Sequence, residues 1–222
     1  MTKRIYYGST ETTATVKIVE VGTDDRGHWV VTDQTIAHVK GGGAKADRGT
    51  IGAASFHDVV ATNGRNSPVK HYLNESPNFE AGDSVNMMID PEWRATQAAY
   101  HSGGHLIAAV VEQLEPSVQA VQGHHYPGEA RVEFVGTLEN DLAELQPSIE
   151  RNLARAIKSD LLIEVVGDPQ TDRKVQIGEF APVPCGGIHC PSTSHLGEVT
   201  LRKIKTKGGK LRISYEVHPK SE

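Results

Sequence analysis

Four side chains in this sequence stand at spacings suited to holding a metal ion. His101 and His105 lie four residues apart in a proline-free stretch with apolar residues at helical intervals, Leu106, Val110 and Leu114 among them. On a helix, residues four apart project from one face about one turn from each other, so both imidazoles can reach one ion. Some eighty residues later, Cys185-Gly186-Gly187-Ile188-His189 repeats the four-residue separation in a different setting. There two glycines remove side-chain bulk and allow a tight loop to turn a thiolate and an imidazole inward. Three imidazoles and one thiolate make a donor set for a borderline ion such as zinc.

Each half has an ordinary reading. Histidine pairs are common on helix surfaces, and a Cys-Gly-Gly run is often only a turn. Two other chemistries compete as well. A zinc peptidase carries glutamate directly after the first helix histidine to act as general base, and Ser102 occupies that place here. A Cys185 nucleophile paired with His189 is the other, although the helix pair and the neighbouring Cys190 favour ligation.

The elements that must position these groups fall into two expected domains, residues 1–92 and 93–222. Up to Asp90 the sequence reads as short strands: Ala14–Val19 and Trp29–Thr32 joined by a turn at Gly22–Gly27, then Asp58–Ala61, Val69–Leu73 and Ser84–Ile89. Turn residues bound each run, which predicts a small β-barrel. Pro91 marks the change to a helix over about Glu92–Leu114. A strand at Arg131–Val135 follows, then a helix over Leu142–Ile157 that Pro147 is expected to divide. Strands at Leu161–Val166, Val175–Ile177, Val199–Leu201 and Leu211–Tyr215 complete an α+β domain, an antiparallel sheet covered by helices on one face.

Composition limits the function classes. No run approaches the roughly 18 apolar residues of a membrane span, and the basic start at Lys3-Arg4 has no apolar segment behind it, so no secretory signal is expected. Two cysteines in 222 residues are too few for a disulfide framework and suit a reducing, cytoplasmic compartment. A net charge of −5 opposes unspecific coating of nucleic acid. From Leu201 onward, however, Arg202, Lys203, Lys205, Lys207, Lys210, Arg212 and Lys220 stand against only Glu216 and Glu222. Such a strip suits a phosphate backbone, and equally a solvated strand pair.

The two metal motifs, His101-Ser102-Gly103-Gly104-His105-Leu106 and Cys185-Gly186-Gly187-Ile188-His189, resemble those of the editing domain shared by alanyl- and threonyl-tRNA synthetases. Ser192-Thr193-Ser194-His195-Leu196-Gly197 resembles the segment that follows the cysteine motif. Thr32–Thr35, the glycine-rich run Gly41-Gly42-Gly43-Ala44-Lys45-Ala46-Asp47-Arg48-Gly49, Gly82–Val85 and Ile89–Arg94 resemble the alanyl branch. No aminoacylation domain accompanies these segments, so the resemblance implies a freestanding editing protein. Such a protein hydrolyses the ester of wrongly charged tRNA(Ala), with serine and sometimes glycine as the amino acid removed.

The resemblance also implies zinc held by His101, His105, Cys185 and His189, and the acceptor end of tRNA as partner, with no membrane and no obligate protein partner. Gln122 takes the place of a family glutamine near the substrate, and Gly104 and Cys185 join it as catalytic candidates. Gly41, Gly42, Gly43, Lys203, Lys205, Lys207 and Lys210 are candidate tRNA contacts. Glycine amides at Gly103, Gly104, Gly186 and Gly187 are candidate oxyanion donors. His124 and His125 could touch tRNA but read more simply as exposed loop histidines, and Cys190 and His195 could support the metal ligands but read more simply as residues that shape the loop. Ala44, Gly104 and Ile188 depart from the family's glutamine, threonine and threonine, which bears on amino-acid selectivity. Two alternatives stay open: a non-catalytic nucleic-acid-binding protein with a structural zinc, and a metal-dependent hydrolase of a small ester or amide.

Overall fold

The structure is a computed structural model that describes residues 1–7, 9–64 and 67–220. Glu222, counted in the charge balance above, lies outside the described residues. The chain separates into two compact units, one of residues 1–41 and 45–94, the other of residues 42–44 and 95–222.

The first unit is built on short strands, beginning with β1 (Lys3–Arg4), β2 (Thr13–Asp24), β3 (Gly27–Thr32), β4 (Gln34–Thr35) and β5 (Gly49–Ile51). β6 (Ala54–Ala61), β7 (Val69–Leu73) and β8 (Ser84–Ile89) follow. Six of them close into a barrel in the order β2-β3-β7-β6-β5-β8, while β1 pairs with β4 outside it. β2 is long enough to serve two neighbours: Thr13–Lys17 pairs with β8, and Ile18 onward pairs with β3 past an irregularity at Ile18/Glu20. Closure leaves few open strand edges, and the alternate residues Val16, Ile18, Val30, Ile51, Phe56, Val59, Val69, Met87 and Ile89 fill the interior.

A histidine sits in that apolar core. His71 is fully buried, its ring nitrogens placed on Thr35 Oγ1 (2.8 Å) and the Val30 carbonyl (3.2 Å), and burial lowers its pKa to about 4.

The second unit is organised around helix α1 (Pro91–Leu114), whose first residues fall in the first unit. Its middle is buried nearly all round, at Ala98–Ser102 and again at Leu106 and Ile107. A four-stranded antiparallel sheet has the order β14 (Glu198–Lys207), β15 (Lys210–His218), β10 (Arg131–Gly136), β9 (Val118–His124). A β-carbon on Gly103 would stand 2.9 Å from Val217 Cγ2, so this glycine lets α1 press on β15.

Helix α2 (Leu142–Lys158) buries Leu145, Ile149, Leu153 and Ala156, a stripe at helical spacing. It is continuous, contrary to the break expected at Pro147. That residue is on the exposed face near the start of the helix, where the backbone carbonyl left without an N–H partner can turn to water. Residues 163–184 form the small sheet β11 (Ile163–Val166), β12 (Lys174–Ile177), β13 (Val183–Pro184). Cys185 follows directly. The two-layer α+β arrangement and the separate barrel match the fold class read from the sequence.

Candidate metal centre

His101 and His105 project from one face of α1, their rings stacked with centroids 4.9 Å apart. The Cys185–His189 loop meets them. Cys185 Sγ lies 3.5 Å from His101 Nε2, 3.3 Å from His105 Nε2 and 3.3 Å from His189 Nε2. The four donor atoms all lie within 4.8 Å of one another. For a tetrahedral zinc with bonds of ~2.3 Å to sulfur and ~2.0 Å to nitrogen, the sulfur–nitrogen edge is about 3.5 Å. The three sulfur–nitrogen separations are therefore compatible with zinc, the Nε2 atoms of all three histidines lying near Cys185 Sγ.

Local sequence explains how the loop reaches the helix. A β-carbon on Gly187 would collide with the His101 ring, so only glycine permits this approach. The Gly187 amide donates to Cys185 Sγ at 3.4 Å. Arg173, 6% exposed, donates from Nη1 to the Cys185 carbonyl at 2.6 Å, and the Cys185 amide donates to the Arg173 carbonyl. Beneath the loop the Cys190 amide donates to Ser102 Oγ, and the Cys190 thiol is buried and pushed up to about 11. His195 is placed on Ser192 Oγ, which also donates to Asp160. Cys190 and His195 thus shape the loop and its continuation.

The electrostatics suit ligation. Burial lowers the pKa of His105 to about 4, with the Arg173 charge adding to the effect, so its imidazole is neutral at physiological pH. Burial raises that of the Cys185 thiol, against the opposing pull of the Gly187 amide and Arg173. A divalent cation at the centre would favour the thiolate.

Three of the four candidate ligands, His101, His105 and Cys185, help to form the wall of a cavity of about 680 Å³. Gly42, Gly104, Gln122, Gly123, His125 and Gly186 line it, together with an apolar side of Val132, Val175, Ile177, Phe180 and Val183. Gln122 is on β9, and Gly42 belongs to the same unit. The Gly43 carbonyl accepts the His125 amide at 2.7 Å; Gly41 is the last residue of the first unit's opening segment.

Two sequence expectations change. Gly103 and Gly104 are in the interior of α1, where their amides serve the helix ladder and are not available as oxyanion donors. What Gly104 supplies is space, because a β-carbon there would meet the His125 ring and come within 2.7 Å of the Tyr215 hydroxyl. His125 is no exposed loop residue: it is 5% exposed, its ring stacked 4.7 Å from that of His101. Burial, then the neighbouring His105 and His124, lower its pKa to about 3. His124 alone lies nearer the surface, 4.2 Å from the Tyr126 ring. Arg173 and Tyr215 were not singled out by the sequence; both act through contacts made only in the folded state.

The basic residues near the carboxy terminus gather on one face of the sheet. Antiparallel register sets Lys205 opposite Arg212 and Lys207 opposite Lys210, with Lys203 following the same alternation. Glu133 of β10 pairs with Arg212 and lies 3.7 Å from Lys210, while among the described residues Lys203, Lys205 and Lys207 enter no ion pair.

This combination of an α+β fold with a His-His-Cys-His centre points to the class that the motifs resembled. Residues 173–213 match the family described as the threonyl and alanyl tRNA synthetase second additional domain. Over nearly its whole length the chain is similar to two proteins of Pyrococcus horikoshii. It is 27% identical to the alanyl-tRNA editing protein AlaX-L, with 97% of this chain and 58% of that protein aligned. It is 27% identical to the alanyl-tRNA editing protein AlaX-M, with 96% of each chain aligned. It also aligns with the alanine–tRNA ligase of Corynebacterium jeikeium at 28% identity, through 88% of this chain and 24% of the ligase. The chain thus spans little more than half of AlaX-L and about a quarter of the ligase. The resemblance drawn from the metal motifs to alanyl-tRNA editing proteins is borne out. Among the described residues, no helix is long and apolar enough to cross a membrane.

Proposed function

We propose that this chain is a zinc-dependent hydrolase that deacylates mischarged tRNA(Ala), with Ser-tRNA(Ala) its main substrate and Gly-tRNA(Ala) a second, acting in trans on the acceptor end. The observation that carries the reading is the convergence of His101, His105, Cys185 and His189 on one point, with His101, His105 and Cys185 in the wall of a cavity of about 680 Å³. Similarity to two alanyl-tRNA editing proteins supports the substrate class.

The bond to be cleaved joins the amino acid to the terminal ribose. Bound zinc would supply a Lewis acid to polarise the ester or orient the amino acid. The protein's own contribution is placement. Gln122 on β9 offers an amide that can hold a water or a substrate group by hydrogen bonding. Gly42, Gly123 and Gly186 leave their backbone accessible to the aminoacyl group. The apolar side formed by Val175, Ile177, Phe180 and Val183 gives the terminal nucleoside a surface that excludes water. Lys203, Lys205, Lys207 and Lys210 present phosphate-sized charges on one sheet face for the acceptor stem.

Editing also has a selective rationale. A synthetase pocket for alanine cannot strongly exclude an amino acid that differs by one small group, so a second site removes the error.

The test is hydrolysis of Ser-, Gly-, Ala- and Thr-charged tRNA(Ala), with and without a chelator. Fast serine release that stops on chelation and returns with zinc is the expected result. Tight tRNA binding with the ester intact would mean a binding module, and hydrolysis of simple esters unaffected by competing tRNA would mean a small-molecule hydrolase.

A further inference from the structure

Among the polar groups that line the cavity, one is held in a fixed protonation pattern by its neighbours and has no part in the ligand set. The Tyr215 hydroxyl donates its only proton to the Tyr100 carbonyl at 2.8 Å. The same oxygen lies 2.7 Å from His125 Nδ1. With its proton committed, that oxygen can only accept, so Nδ1 must carry the hydrogen and Nε2 must carry a bare lone pair. The tautomer is thus set by a hydrogen-bond chain that ends on the backbone of α1.

Three glycines make room for this ring. A β-carbon at Gly104 would strike its Cε1–Nδ1 edge, one at Gly123 would strike Nε2, and one at Gly43 would approach Cδ2 to 3.0 Å. Gly123 matters most, since any side chain there would cover the lone pair. The ring also lines the cavity, stacked 4.7 Å from that of the candidate metal ligand His101.

We infer that His125, oriented by Tyr215, is the specificity residue of this site, its Nε2 accepting a hydrogen bond from the side-chain hydroxyl of a seryl ester. This rests on the editing function proposed above and names the residue that reads the amino acid. A seryl group satisfies the acceptor; an alanyl group leaves a buried lone pair unpaired, and a site built around such a bond rejects the analogue that lacks the donor. Correctly charged Ala-tRNA is spared for that reason. Tyr215 is a positioning residue, acting only through the ring it orients.

Two measurements test the inference. First, long-range nitrogen–proton NMR of the zinc-loaded protein with labelled histidine should show His125 protonated on Nδ1 and bare on Nε2. Its Nε2 signal should shift on adding a non-hydrolysable 3′-seryl-amide of adenosine, and stay in place with the alanyl-amide. Second, in Tyr215→Phe, which keeps the ring and loses the hydroxyl, serine preference over glycine in kcat/KM should fall by at least about tenfold, with zinc content unchanged. The glycyl ester should be cleaved as in the wild type, and His125→Gln, which keeps an acceptor, should retain more serine preference than His125→Ala.

A proton on Nε2 in the free protein, the same shift with both amides, or equal loss on serine and glycine in Tyr215→Phe would each overturn the inference. If the wild type cleaves no aminoacyl-tRNA, the editing function fails, while the NMR titration still decides whether His125 accepts from the seryl hydroxyl.

Discussion

Arg173 and Cys185 hold each other through the backbone: the arginine side chain donates to the cysteine carbonyl at 2.6 Å, and the cysteine amide donates back to the arginine carbonyl at 3.2 Å. The metal loop is thereby fixed at the residue that supplies the thiolate. Arg173→Met removes the side-chain half of this clamp and should lower zinc affinity by about 10- to 100-fold, the usual cost of losing a group that orients a ligand. Competition with a fluorescent chelator measures it; affinity equal to wild type would show that the loop needs no such support.

Cys185 carries the only sulfur at the centre, and its Sγ lies within 3.5 Å of Nε2 of all three histidines. Four protein ligands ordinarily close a zinc site, whereas catalysis needs an open position. Cys185 is the ligand we expect substrate to displace. Cys185→Ala should lose zinc on dialysis and lose deacylation with it. Full zinc and full activity in that variant would remove the residue from the site.

Gly187→Ala would drive a methyl group into the His101 ring. Overpacking of this kind costs roughly 1–3 kcal/mol, and the loop can escape it only by moving away from the helix. We expect a folded protein with weakened zinc binding, visible as a lower metal content at unchanged circular dichroism. Stoichiometric zinc in the variant would show that the loop is not tightly placed.

His71 gives the barrel a pH dependence that owes nothing to the metal. Its pKa is lowered to about 4 by burial, against about 6.5 in the unfolded chain. Between these values the unfolded state binds more protons, so the neutral buried ring contributes stability fully above about pH 6.5. That contribution, at most about 3 kcal/mol, is lost as pH falls toward 4. His71→Gln removes the titration. Urea unfolding of both proteins should give curves whose stability difference shrinks on acidification from about pH 7.5 to about pH 4.5; parallel pH profiles would refute the assignment.

Lys203, Lys205, Lys207 and Lys210 lie on one sheet face, and among the described residues only Lys210 of the four forms an ion pair, with Glu133 at 3.7 Å. If they hold phosphates, replacing all four by glutamine should weaken binding of any tRNA and flatten its salt dependence. The slope of log affinity against log salt should fall by about 0.7–0.9 for each phosphate no longer neutralised. An unchanged slope would leave these lysines as surface charge.

The ligand set was legible in the sequence because cysteine and histidine are scarce and carry their chemistry wherever they stand; the spacing of four needed only a helix and a glycine loop to become geometry. Most barrel strands were legible too, through alternation and bounding turn residues. β9 was not. Its run Val118–His124 leaves Val121 49% exposed and opposes an irregularity at Glu133/Phe134, so the alternation that marks a half-buried strand is blurred. His125 looked like a loop histidine because its burial depends on Gly104, Gly123 and Tyr215, from three separate elements. Arg173 was not singled out because its partners are backbone groups, which no residue type announces. Pro147 predicted a break that its exposed position near the helix start made unnecessary.

The thiolate and the helix histidines are 80 and 84 residues apart along the chain. Bringing such distant segments together in an unfolded polypeptide costs about 4 kcal/mol in loop-closure entropy alone. A zinc ion held by all four ligands would therefore join two local pairs that are far apart in the chain, unlike the single short segment of a zinc finger. We expect the intervening strands and α2 to gather first, so that a metal ion would enter a pocket that the rest of the fold has already brought together.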